Sequence, residues 1–140
     1  MRYFLDTDSV THLHIGTPSI VKRASSVGEA NFGTTVVSRI EILFGRFESL
    51  FKAENADRLL IALERLERSE LFLNQMTVVT FDEDAAFEFD RLRKHKKLKK
   101  IGRGDLLIAC IVLANRGTLV TRNLKDFKLI PTLKLENWID

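Results

Sequence analysis

At 140 residues, 45% of them hydrophobic and 29% charged, the chain is long enough for one cored domain and too short for two. Seven glycines and two prolines exclude a collagen-like or low-complexity chain, and a lone cysteine, Cys110, excludes an internal disulfide framework. The net charge of +3 hides an uneven distribution: Arg91 to Arg103 carries eight basic residues and no acid, leaving 14 basic against 19 acidic elsewhere.

Tyr3-Phe4-Leu5 is a short apolar run that reads as a buried strand ending at Asp6. Asp8 or Ser9 is then expected to cap a short helix closing near Gly16, and Thr17-Pro18 to open a second, with its body from Ser19 to about Ser26. Gly28 to Asn31 reads as a turn. The β-branched stretch FGTTVVS predicts a strand, followed by a helix with Ile40, Leu43, Phe44, Phe47 and Phe51 at helical spacing. A longer helix is expected from Asn55 to Leu73, with Leu59, Leu60, Leu63 and Leu66 as its core stripe and Glu64 and Arg68 as an i,i+4 pair. TVVTF reads as a strand, Asp82 starts an amphipathic helix, and Ile101 to Gly104 is a loop. DLLIACIVLANRG predicts a buried helix closed by Gly117; TLVT and LKLENW are further strands, with NLKDF a short helix or turn between them. Four or five apolar strands alternating with helices predict a single α/β domain over residues 1–140, with three α/β/α layers around a mostly parallel sheet.

The opening is unlike a secretory leader, since Asp6 and Asp8 fall where the apolar core would be, and the longest strictly apolar run, Leu106 to Ala114, is too short to span a bilayer. With Cys110 set among aliphatic neighbours as a buried, reduced thiol, the expectation is a cytoplasmic protein with no membrane partner. The basic band suits either a polyanion or a solvated helix end.

Open parallel sheets bind ligands beyond the carboxyl ends of their strands, and several acids of this chain fall there. Asp6 directly follows the first strand and Asp8 lies two residues on. Glu41 stands in the first turn after TTVV, Asp105 starts the helix after the basic loop, and Asp126 follows TLVT. Brought together, such carboxylates repel one another and call for a counter-ion; magnesium or manganese suits oxygen ligands. Zinc is disfavoured, because His12, His14 and His95 make no zinc spacing with Cys110. A metal held by acids would orient and activate a water against a phosphodiester. Each acid also has a local reading: Ser38 with Glu41 matches a capping box, Asn123 with Asp126 a weaker one, and Asp105 suits a helix N-terminus. Thr7 and Thr121 are candidates to hydrogen-bond a carboxylate or water, Arg103 to contact phosphate, and Trp138 to pack internally, to join a dimer interface or to stack a base.

YFLDTDSV, Glu41 within VVSRIEILFGRF, and IGRGDLLIACIVLANRGTLVTRNLKDFKLIPTLKLENW together resemble PIN-domain ribonucleases, specifically VapC-like toxins of prokaryotic toxin–antitoxin pairs. The likeness covers nearly the full chain. It implies a magnesium- or manganese-dependent endoribonuclease with Asp6, Glu41 and Asp105 at the metal. The fourth acidic position divides between Asn123, where many members carry aspartate, and Asp126. Asp8 replaces a frequent asparagine and is a candidate extra ligand or loop support. The resemblance also implies a homodimer, a cognate antitoxin whose tail enters the active-site groove, and an RNA substrate, to which Lys96, Lys97, Lys99, Lys100 and Arg103 are the expected contacts. Two other readings stand beside it. FLDTDSV also looks like the opening of haloacid-dehalogenase-type phosphatases, although Glu41 has no role there. A noncatalytic nucleic-acid or protein-binding module would use the basic band and keep the acids as caps.

Overall fold

The computed structural model describes all residues 1–140. Five strands, β1 (Tyr3–Leu5), β2 (Phe32–Thr35), β3 (Val78–Val79), β4 (Thr118–Val120) and β5 (Lys134–Glu136), form one sheet in the order β3-β2-β1-β4-β5. Every pairing is parallel, with Phe4 opposite both Gly33 and Leu119. Seven helices make the crossovers: α1 (Thr7–Ile15), α2 (Pro18–Val27), α3 (Val36–Phe51), α4 (Ala56–Asn74), α5 (Glu83–Leu92), α6 (Arg103–Ala114) and α7 (Leu124–Phe127). Short 3₁₀ turns cover Glu29–Asn31 and Lys96–Lys100.

Alternation along the strands divides the core in two. Phe4 and Leu119 face a cluster with Leu92, Ile108, Ile111 and Phe127 from α5, α6 and α7. Tyr3, Leu5 and Val120 face the opposite cluster, with Val10, Ile20 and Leu73 from α1, α2 and α4. Side chains of successive strand residues point to opposite faces, so a three-residue strand anchors both helical layers. Helix α6 is apolar all round because it is enclosed: Leu106 and the run Ile108 to Val112 are buried. Trp138 is buried too; its ring lies 5.1 Å from that of Tyr3, and its Nε1 donates to Glu136 at 2.9 Å.

Local chemistry moves several expected boundaries. The cap of α1 is Asp6, whose Oδ1 accepts from the Ser9 amide at 2.8 Å, and neither Asp8 nor Ser9 takes that place. Strand β2 stops at Thr35, which caps α3 by accepting from the Ser38 amide at 3.2 Å. Val36 and Val37 are therefore helical, and the Ser38–Glu41 capping box does not form because Ser38 already lies inside the helix. Asn123 makes no side-chain cap on α7; its amide instead donates to Thr121 Oγ1 at 3.0 Å. Helix α6 begins at Arg103; Arg116 at φ 54° takes the left-handed turn at its end, and the Gly117 amide closes it by donating to the Val112 carbonyl at 3.1 Å. Gly117 is needed for proximity: a Cβ there would collide with the Phe4 ring and come within 3.0 Å of the Arg2 carbonyl. The last strand is only Lys134–Glu136.

The largest departure is in the α3–α4 hairpin. On α4 the buried stripe is Ala62, Leu66, Ser69 and Leu73, while Leu59, Leu60 and Leu63 are exposed. On α3, Ile40, Phe44, Phe47 and Phe51 are also exposed, Phe51 to 85%. Small Ala62 and Ser69 form the packed side, where Arg46 Nε donates to Ser69 Oγ at 3.0 Å. The hairpin thus buries a narrow seam and leaves a wide apolar face outside.

Candidate active site

Three parallel strands bring their carboxyl ends side by side: β1 delivers Asp6, β2 leads into α3 with Glu41, and β4 leads to Thr121 and α7 with Asp126. The first turn of α6 brings Asp105 to the same edge. These four carboxylates act on one another electrostatically. The carboxyl of Asp105 is pushed up to about 6 by burial and then by the charges of Glu41, Asp6 and Asp126. Asp6, itself buried, is raised by desolvation, against which hydrogen bonds from Thr121 and Ser9 act. None of the four enters an ion pair with Lys, Arg or His.

Neutral groups position the acids. Thr7 Oγ1 donates to Glu41 Oε1 at 2.6 Å, with Ser38 Oγ 3.1 Å from the same hydroxyl, so α1 and α3 are tied together at the carboxylate. Glu41 also lies against α6 at Gly104, where a Cβ would fall 2.6 Å from Oε2. The Nδ2 of Asn123 donates to Asp126 Oδ2 at 3.1 Å. Asn123 and Asp126 are thus hydrogen-bonded to each other, and the Asp126 charge bears on Asp105.

Asp8 adds to the charges that raise Asp6 and also reaches toward other partners. Its carboxylate lies 4.0 Å from the Arg122 guanidinium and 3.8 Å from His12 Nε2. Lys96, Lys97, Lys99 and Lys100 lie on the 3₁₀ turn before α6, with Leu98 buried beneath them, and Arg103 is the first residue of α6, its guanidinium over the Phe89 ring. Gly104, Ser38 and Ser9 join the site without having been singled out for it. The only sequence signal for Gly104 is its place directly before Asp105, whereas Ser9 and Ser38 signal only helix starts.

No three His, Cys, Asp or Glu side chains stand close enough to hold an ion directly. Magnesium binds through one or two carboxylates while keeping several waters, so it does not require three carboxylates in direct contact. The donor set is all oxygen and strongly anionic, which suits a hard divalent cation and offers nothing to a soft one.

A family model for the PIN domain matches residues 3–132. The chain belongs to the PIN-domain family. Ribonuclease VapC2 of Rickettsia felis is 35% identical to this PIN domain over 114 residues, 78% of each chain. The tRNA(fMet)-specific endonuclease VapC of Salmonella typhimurium is 22% identical over 140 residues, covering 99% of this chain and 98% of the relative. Among solved structures, the VapBC2 complex of Rickettsia felis bound to a promoter DNA fragment superposes with a TM-score of 0.82 at 27% identity, covering 99% of both chains. VapBC-1 of nontypeable Haemophilus influenzae gives 0.79 at 24% identity over both full chains, a likeness of fold. No helix of this PIN domain is long and apolar enough to cross a membrane.

Proposed function

We propose that this PIN domain, acting as one unit over residues 1–140, is a VapC-like endoribonuclease and the toxin of a toxin–antitoxin pair. The observation that carries the reading is the convergence of Asp6, Glu41, Asp105 and Asp126 at one sheet edge with no cationic partner. Such an arrangement is costly in a fold that uses it only for capping. As a phosphatase of the haloacid-dehalogenase type the chain would leave Glu41 idle, whereas here Glu41 is held by Thr7 and seated on Gly104.

Asp6, Glu41, Asp105 and Asp126 would hold magnesium or manganese, which supplies an activated water and neutralises charge developing on the phosphodiester. Asp6 presents a carboxylate held in place by the Ser9 amide and by Thr121. Glu41 is held by Thr7, and Asp126 by Asn123. Asp105, whose carboxyl is raised by burial and by the neighbouring acids, is the group on which the anionic charge of the site bears most directly. The lysines of the 3₁₀ turn and Arg103 attract the RNA backbone. The partners are an RNA substrate, a second copy of the chain and a cognate antitoxin; the exposed apolar face of α3 and α4 supports protein partners. The reading places the protein in the cytoplasm, where RNA and antitoxin are both available.

Incubation of the purified protein with RNA and magnesium or manganese should give endonucleolytic fragments, with EDTA suppressing them. Cleavage undiminished after rigorous metal removal overturns the metal assignment. Expression of the chain alone should arrest growth, coexpression of a small neighbouring gene product should relieve it, and arrest persisting with folded Asp6→Asn overturns catalytic toxicity.

A further inference from the structure

We propose that the cavity between α5, the lysine-bearing 3₁₀ turn and α6 is a nucleotide subsite, in which an RNA residue flanking the cleaved bond places its phosphate on Arg103 and Lys99 and its base on the outer face of the Arg103 guanidinium, which Phe89 backs. The inference rests on the ribonuclease reading and adds to it a defined position for one nucleotide. The cavity has a volume of about 350 Å³, within the ~300–1,000 Å³ of small-molecule sites. Its lining carries His95, Arg93, Lys99 and Arg103 and no acidic residue, over a floor that includes Leu98 and Leu106. Arg93 is occupied, its Nε 3.1 Å from Asp90 Oδ1. Lys99 and Arg103 enter no ion pair and are left for an anion from outside.

The guanidinium of Arg103 lies 5.2 Å from the centroid of the Phe89 ring. An arginine braced on an aromatic face loses little freedom when its N–H fork meets a phosphate, and its outer plane remains a stacking surface. Helix geometry then fixes which nucleotide arrives. Arg103 and Leu106 are three residues apart and face the cavity together, while Asp105, two residues after Arg103, is turned by roughly 200° around α6. Leu106 in the cavity lining directly follows Asp105, so the cavity and the acidic edge are neighbours on different faces of the first turn of one helix. One strand of RNA crossing the start of α6 would set its cleaved bond over the acids and a neighbouring residue in the cavity, which requires an unstacked, single-stranded segment. Lys96 and Lys97 line a separate concavity with Leu129 and Pro131. They add to the general field without entering this subsite.

The test is equilibrium binding of the full chain, in EDTA, to a short single-stranded oligoribonucleotide and to versions with one abasic residue moved through each position in turn. The parent should show one position at which base removal weakens binding about tenfold, the scale of one base–aromatic stack. Arg103→Gln and Phe89→Ala should erase that penalty. Lys96→Gln/Lys97→Gln should weaken every oligonucleotide by one common factor and keep it. Lys99→Gln should reduce the slope of log affinity against log salt by about one. Arg103 and Lys99 are exposed, so these two variants are expected to fold as the parent does. An even penalty along the strand, or one that survives Arg103→Gln, overturns the subsite. Because binding is read without turnover, a parent that binds with the positional penalty yet cleaves no RNA overturns the ribonuclease reading and leaves the subsite standing.

Discussion

Asp105 is the residue at which the electrostatics of the acidic edge become measurable. Its carboxyl sits at about 6 in the folded chain against an ordinary value of 3.8, so the native state holds that proton more tightly than the unfolded one. The contribution to stability is greatest below the unfolded value and is lost as pH rises through 6. The parent's stability relative to Asp105→Asn should therefore decline between pH 4 and pH 7, measured by urea midpoints without metal. Saturating magnesium should flatten that decline, and metal affinity should weaken as pH falls below about 6. Asp6→Asn and Asp105→Asn each remove ligand charge at nearly constant volume; both should fold by circular dichroism, bind magnesium more weakly by calorimetry and lose cleavage. Unchanged metal affinity in both variants would remove them from the site. Gly104→Ala is a test from the other side, since the new methyl would displace the Glu41 carboxylate. It should abolish cleavage while the far-UV spectrum stays that of the parent. The four acids are legible in the sequence because each follows an apolar run at a strand end or opens a helix. Gly104 and the Thr7–Ser38–Glu41 contact are not, because they exist only once α1, α3 and α6 dock. The contact of Asp8 with Arg122 is hidden for the same reason, since Arg122 comes from far along the chain.

At the scale of elements, the strands are short and the caps do much of the delimiting. Thr35 ends β2 and opens α3 with one hydroxyl, so Thr35→Ala should cost about 1 kcal/mol in urea unfolding. Gly117→Ala forces a methyl into the Phe4 ring and should cost roughly 1–3 kcal/mol, the range for overpacking a filled core. The alternation of apolar strands and helices was sufficient to predict the layers and the parallel sheet. It did not identify the buried side of the α3–α4 hairpin. Both helices are apolar over a wide arc, and periodicity alone does not say which part of such an arc meets the domain. Ala62 and Ser69, small residues in a long helix, mark the packed seam, and the large side chains around them lie outside it.

For the whole molecule, that outward arc and the acidic edge make different demands on the surroundings. Phe44, Phe47, Phe51 and Leu60 in water favour association, so Phe44→Glu with Phe51→Glu should shift the purified protein toward monomer in sedimentation and weaken capture by a coexpressed antitoxin. Retention of both the parent's oligomeric state and its antitoxin binding would show that the face is not used. The sheet order carries a further consequence, for the time course of synthesis. Strand β1 lies in the middle and pairs with β2 on one side and β4 on the other, so one edge of residues 3–5 awaits partners more than a hundred positions away. A nascent chain that has emerged only as far as α5 already contains Asp6 and Glu41 but has neither Asp105 nor Asp126, and one edge of β1 remains open. The ribosome that makes this nuclease is therefore spared its activity until β4 and then Asp126 have emerged, and any antitoxin that reads the completed edge meets its target only after that point.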